Sequence, residues 1–70
     1  MAKLSKKQAT QLANLINECN SWSISVKMEL ARPVAEYDNQ RCRRLMGYHN
    51  EAADKLNAIL GQIAVFKFEV

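Results

Sequence analysis

The sequence predicts a mainly all-α protein, built as a two-helix antiparallel hairpin that assembles into a helical-bundle homo-oligomer. Three features predict this: a helix-capping box near the start, a proline near the middle, and apolar residues at helical spacing on both sides of that proline. A chain of 70 residues forms one domain and buries only about 60% of its unfolded surface. We therefore expect self-association to complete its core.

The first helix is predicted over about residues 5–31. Ser5 and Gln8 form a capping box, in which each side chain accepts a hydrogen bond from the other residue's backbone amide. Residues 22–28 also alternate apolar and polar side chains, as a half-buried strand does, but no turn residue separates them from the preceding helix, so we favour helix. The apolar stripe of this helix consists of Leu12, Leu15, Ile16, Cys19, Trp22, Val26 and Leu30.

The second helix is predicted over about residues 33–60. Pro33 disfavours helical geometry at Arg32 and suits the first turn of a new helix, while Gly61 suits a C-terminal cap. The apolar residues of this helix repeat every seven positions, which is typical of a helix packed in a bundle. The stripe consists of Cys42, Leu45, Ala52, Leu56 and Ile59, with His49 at the same spacing and Ile63 continuing it just beyond the helix.

The C-terminal arm, residues 64–70, is predicted to be a short strand or an extended segment, because apolar and charged side chains alternate from Phe66 to Val70. A lone strand leaves its backbone groups unpaired, so the arm needs a groove or a partner strand. That strand can be residues 22–28 or the arm of another subunit. The predicted oligomer interface consists of Leu45, Ala52, Leu56, Ile59, Ile63, Phe66 and Phe68.

The net charge of +3 is unevenly distributed. Residues 1–44 hold eight basic and four acidic side chains, and residues 45–70 hold two and three. This asymmetry favours an anionic partner, although it is far weaker than the charge of a DNA-coating protein. No apolar run suits a membrane span or a signal peptide, so we expect a cytoplasmic protein with Cys19 and Cys42 reduced.

The candidate ligand-binding residues lie in and around the densest basic segment. Arg41 and Arg44 are one helical turn apart, and arginine forks match phosphate oxygens bidentately. Tyr48 can stack on a base, and His49 and Lys27 can complete a pocket between subunits. Alternatively, the arginines form a solvated helix face. Its acidic partners would be Glu36, Asp38 and Glu51.

Metal binding and catalysis are not expected. His49 can equally be a hydrogen-bonded histidine at the edge of the core, and with Cys42 it supplies only two of the four ligands that zinc prefers. Both cysteines lie on apolar stripes, and the single histidine and the absence of a glycine-rich loop do not suit an activated nucleophile. We predict no metal, no cofactor and no enzymatic activity.

A short helical hairpin with Arg41 and His49 eight residues apart on its second helix resembles the hairpin domain of phage cyclic-nucleotide sponge proteins, which counter host defence. The resemblance covers roughly residues 4–60 and concerns the layout; the Phe66/Phe68 tail has no counterpart. It implies an oligomeric phage accessory protein that sequesters a nucleotide without turning it over, and no binding residue is taken from it. The dimeric two-helix RNA-binding bundles of plasmid copy control are similar in architecture alone.

Two functional hypotheses follow. The first is a non-enzymatic homo-oligomer that sequesters or recognises a phosphate-bearing ligand, which is a small or cyclic nucleotide or a nucleic acid. The alternative is a small protein-interaction module, inhibitor or adaptor, that uses Trp22 and the arm from Phe66 to Val70, because buried aromatic side chains often anchor protein interfaces.

Overall fold

Two α-helices, α1 (Lys6–Leu30) and α2 (Asn39–Leu60), form a hairpin in the computed structural model, which describes residues 4–70. The helices are antiparallel, because Leu15 near the start of α1 packs with Leu56 near the end of α2. The predicted all-α hairpin is therefore confirmed. Lys3, which belongs to the basic half of the sequence, lies outside the described residues.

The start and the continuation of α1 follow the sequence prediction. The Ser5 hydroxyl accepts from the Gln8 backbone N–H at 3.1 Å, and the Gln8 side chain accepts from the Ser5 N–H at 3.0 Å. Residues 22–28 are helical, which confirms the favoured interpretation and makes the strand alternative wrong. The Ser25 hydroxyl donates to the Ser21 carbonyl at 3.1 Å, so this polar side chain is satisfied within the helix.

The start of α2 differs from the prediction. Pro33 begins a single turn, in which the Pro33 carbonyl accepts hydrogen bonds from the Glu36 and Tyr37 N–H groups. The helix itself begins only at Asn39. Asp38 is extended (φ −119°, ψ 107°), and its carboxylate caps the helix by accepting from the first free amides. The predicted start near residue 33 was therefore too early, because the cap at Asp38 decides where helical geometry begins.

The hydrophobic core is a thin layer between the two helices. Its buried members are Leu15, Cys19, Ala52, Ala53 and Leu56, with Leu12, Ile59 and Val65 packed against them. Two of the core residues on α2, Ala52 and Ala53, are small. The molecule measures 50 × 18 × 13 Å, with a radius of gyration of 14.3 Å. A compact chain of this length would have about 11 Å, so most side chains lie near the surface.

The C-terminal arm is extended and lies along α2 of the same chain. Gly61 ends the helix in the left-handed conformation (φ 70°), as its predicted capping role requires, and turns the chain back. Within residues 4–70 no segment forms a β-strand, so the predicted strand pairing is not observed. The arm's backbone is instead bound by side chains of α2.

Candidate functional site

The bend of the hairpin is organised by a buried carboxylate. Glu29, near the end of α1, is only 2% exposed. Its Oε2 accepts from the Asp38 backbone N–H at 3.1 Å, and its Oε1 accepts from Arg41 Nη1 at 3.2 Å. Arg32 Nε lies 3.2 Å from the same Oε1. Glu29 thus connects the end of α1, the loop and the first turn of α2.

These contacts stabilise the ionised form of both acids at the bend. The hydrogen bond from the Asp38 N–H, helped by Arg41 and Arg32, lowers the pKa of the Glu29 carboxyl, although burial opposes the shift. Backbone hydrogen bonds from Arg41 and Gln40 lower the pKa of Asp38 in the same way. Both carboxylates are therefore charged at neutral pH, and they hold Arg41 between them, with its Nη2 3.9 Å from Asp38.

A small cleft of about 210 Å³ lies next to this cluster. Its polar wall contains the guanidinium groups of Arg32 and Arg41, whose side chains are 45% and 48% exposed. Its apolar wall contains Met28 and Leu45. The full lining is Ser25, Met28, Glu29, Arg32, Arg41 and Leu45. The cleft combines fixed hydrogen-bond donors with an apolar surface, which is the usual composition of a small-ligand site.

Two further predicted ligand residues share one face of α2. Arg44 and Tyr48 are four residues apart and therefore neighbours on the helix, and both are exposed. The Tyr48 ring packs against Trp22 of α1, with ring centroids 4.8 Å apart. Lys27 is exposed in the last turn of α1, but it lies two residues from Glu29 and so about 200° around the helix from it. By their spacing Arg41, Arg44 and Tyr48 share one face of α2, although only Arg41 lines the cleft, and Lys27 lies on the side of α1 opposite to Glu29.

His49 does not join this group. It is buried, 6% exposed, and its ring meets Phe68 of the arm edge-on at 4.7 Å. Its Nδ1 lies 3.2 Å from Asn50 Oδ1, a hydrogen bond that forms when the proton is on Nδ1. Its surroundings match the alternative of a hydrogen-bonded histidine in the core, so the five predicted ligand residues do not form a single site.

The predicted oligomer interface is divided between the inside and the outside of the hairpin. Ala52 and Leu56 are each 2% exposed and belong to the core, so a second copy cannot contact them while the hairpin is closed. Leu45, Ile59 and Phe68 are half-buried, whereas Ile63 and Phe66 are 77% and 83% exposed. While the hairpin is closed, only the outer residues of the set are accessible to a second copy.

Two asparagines on α2 bind the arm. Asn50 Nδ2 donates to the Phe68 carbonyl and Asn50 Oδ1 accepts from the Phe68 N–H, both at 2.8 Å. Asn57 Nδ2 donates to the Val65 carbonyl at 2.9 Å, and Asn57 Oδ1 accepts from the Ala64 and Val65 N–H groups at 2.9 Å. The two side chains therefore provide the backbone partners that a neighbouring strand would otherwise supply.

Sequence reasoning missed Glu29, Asn50 and Asn57. A signal existed for the asparagines, because polar residues seven apart lie on the same face of a helix. It becomes informative only when the arm is known to fold back onto that face. Glu29 carries no comparable signal, because its burial depends on where the loop returns.

Other features of residues 4–70 do not resemble a reactive centre. No three of the described His, Cys, Asp and Glu side chains group as metal ligands would. Cys19 and Cys42 are buried free thiols, and burial raises the pKa of Cys19. Neither described helix is long and apolar enough to cross a membrane. A wider depression of about 590 Å³ lies far from the bend and is lined by α1 alone, at Lys6, Lys7, Thr10, Gln11 and Asn14.

Comparison with protein-family models, with curated proteins and with solved structures gives no match for this chain.

Proposed function

We propose that the protein is a non-enzymatic, self-associating binding protein whose ligand carries phosphate, such as a small or cyclic nucleotide or a nucleic acid. The observation that carries the proposal is the fixed guanidinium of Arg41 beside the cleft. Arg41 is held by the buried Glu29 and by Asp38, and its side chain is still half exposed. An anion at the cleft would meet donors that are already oriented, which lowers the entropic cost of binding.

Arg44 adds positive charge that the acids at the bend do not neutralise by an ion pair. Arg32 and Arg41 are balanced at the bend by Glu29 and Asp38, so this group of four has no net charge. Arg44, on the adjacent turn, has no carboxylate within ion-pair distance among residues 4–70. A phosphate bridging Arg41 and Arg44 would gain a free cation and an oriented one, and the exposed Tyr48 offers a surface for a base.

The surface area supports self-association. The chain exposes 5528 Å², whereas a compact monomer of 8.0 kDa would expose about 4,450 Å². The excess of roughly 1,000 Å² is comparable to the ~800 Å² that each partner buries in a typical interface. Large apolar side chains contribute to the excess. They include Ile24, Met28, Val34, Ile63, Phe66 and Val70.

Arg44→Ala tests the ligand proposal, with Arg43→Ala as the matched control. Both substitutions remove one exposed arginine from the same turn of α2, but Arg43 lies about 100° around the helix from Arg44. The probes are a fluorescent cyclic dinucleotide and a fluorescent single-stranded oligonucleotide, followed by anisotropy. We expect Arg44→Ala to weaken binding about tenfold or more, and Arg43→Ala by less than about threefold, because one phosphate contact is lost in the first variant alone. Absence of binding to both probes at about 100 µM protein, or equal losses in the two variants, would overturn the proposal.

A protein-interaction module is the second candidate. The supporting observation is the outer face of the arm, where Phe66 is 83% exposed although the neighbouring backbone is anchored. Trp22 suits this role less well, because it packs against Tyr48 within the hairpin. If the protein is an interaction module, Phe66→Ser should abolish partner binding, because it removes the exposed ring and keeps the arm's hydrogen bonds. Unchanged capture of a purified partner by this variant would exclude an interaction through Phe66.

A further inference from the structure

The C-terminal arm occupies a groove of α2 that has the chemistry of a peptide-binding site. Asn50 and Asn57 are seven residues apart and bind backbone groups of Phe68 and of Val65 with bonds of 2.8–2.9 Å. These contacts recognise an extended backbone of any sequence, in the way that an adjacent strand would. The bonds that hold the arm are therefore made by side chains of α2 and do not involve Gly61.

Side-chain contacts add specificity to the groove. The Phe68 ring meets the buried His49 ring at 4.7 Å, and Val65 packs against the hydrophobic core. Lys67 Nζ lies 3.1 Å from Asp54 Oδ1, on the same flank of α2. These contacts match an apolar residue at position 65, a basic residue at 67 and an apolar residue at 68, as the arm supplies them.

The arm follows a glycine and touches the α1–α2 core only at its edge. Gly61 has φ 70°, and residues 61–64 are exposed. The α1–α2 core contains one arm residue, Val65, at its edge. Rotation of the backbone around Gly61 would free the arm while the helices stay packed, because the bonds that hold the arm are made by residues 64–68.

We propose that the groove binds the arm of a second copy, so that two chains exchange arms reciprocally. The inference rests on the self-association proposed above and specifies its interface. Two-fold symmetry fills both grooves with the contacts already seen within one chain, and no new recognition chemistry is needed. The exposed Ile63 lies in the segment 61–64, where the two chains would cross.

The ion pair between Asp54 and Lys67 gives a direct test. Two single variants, Asp54→Lys and Lys67→Asp, each place like charges in a closed arm. If arms are exchanged, a mixed dimer of the two variants restores opposite charges at both grooves. If each arm stays on its own chain, mixing restores neither. The variants are unfolded together in urea, refolded and analysed by native mass spectrometry, which separates the three dimers by mass.

Random pairing of equal amounts of the two variants would make half of all dimers mixed. If arms are exchanged, we expect the ratio of mixed dimers to homodimers to be at least about threefold higher than this random value. The control is a mixture of the wild type with the double variant Asp54→Lys/Lys67→Asp, which is labelled with ¹⁵N because its two substitutions cancel in mass and leave it equal in mass to the wild type. Each chain of this mixture carries opposite charges at residues 54 and 67. Exchange between unlike chains would place like charges at both grooves, so the mixed dimer should be depleted.

Random proportions in both mixtures would overturn arm exchange and leave self-association intact. A monomer at about 100 µM would overturn exchange and self-association together. Phosphate binding is measured separately with Arg44→Ala, so the failure of either proposal can be recognised on its own.

Discussion

Glu29 and Arg41 are twelve residues apart in the sequence and meet across the bend, where Arg41 Nη1 donates to Glu29 Oε1 at 3.2 Å. The carboxylate is buried, whereas the guanidinium is half exposed. The contact therefore does two things. It fixes the start of α2 against the end of α1, and it orients a cation toward the cleft.

We expect Glu29→Gln to lower the stability of the hairpin and to weaken ligand binding. The amide oxygen can still accept from the Asp38 N–H, but the charge that holds Arg32 and Arg41 is lost. Urea unfolding followed by circular dichroism should show a lower midpoint than in the wild type. The control is Glu36→Gln, which removes the same charge from an exposed loop position. Equal midpoints for the two variants would contradict a structural role of Glu29.

Acid should destabilise the protein through the two carboxylates at the bend. Glu29 and Asp38 have folded-state pKa values below their ordinary values of 4.5 and 3.8, so the unfolded chain takes up protons first as the pH falls. Their stabilisation is complete above about pH 4.5 and is lost as the pH falls through the folded-state pKa values. Urea midpoints measured from about pH 6 to pH 3 check this. In Glu29→Gln the urea midpoint should fall less between about pH 6 and pH 3 than in the wild type. An unchanged dependence on pH in that variant would argue against Glu29 as a source of the acid sensitivity.

Asn57→Ala should release the arm. The variant loses hydrogen bonds to both the N–H and the carbonyl of Val65 and to the N–H of Ala64. At about 0.5–1.5 kcal/mol for each of the three bonds, we expect a loss of roughly 1.5–4.5 kcal/mol in docking of the arm. Hydrogen exchange followed by NMR should report this as faster exchange of the Val65 amide, by at least about fivefold. Asn17→Ala on the exposed face of α1 is the control, because it makes the same change without touching the arm.

The helices were predictable because their signals are local. The capping box at Ser5, the continuous apolar spacing through residues 22–28 and the glycine cap at Gly61 each act within a few residues. The start of α2 was not predictable, because two sequence signals for a helix start compete there. Pro33 suits a helix start, but the turn that it begins ends at Tyr37, and Asp38 then caps the helix. Local preference leaves both starts open, and the tertiary bond from Asp38 to Glu29 favours the second.

The candidate site was predictable only in part. The basic segment with Arg41, Arg44 and Tyr48 is read directly from residue type and helical spacing. The separation of His49 from these residues depends on which side of α2 receives the arm, and that is a tertiary property. The seam of α2 was likewise recognised as apolar, but spacing cannot tell whether α1 or a second copy covers it. In the structure α1 covers Ala52 and Leu56.

The two glycines should respond in opposite directions to substitution by alanine. A methyl group at Gly47 or at Gly61 meets no heavy atom within 4 Å, so steric clashes do not distinguish the two positions. Gly47 lies inside α2, where alanine should stabilise by about 0.5–1 kcal/mol. Gly61 has φ 70°, which costs an alanine roughly 1–2 kcal/mol. Urea unfolding of both variants measures the difference directly. A stabilising Gly61→Ala would show that the chain leaves the left-handed turn readily, and arm exchange should then increase in that variant.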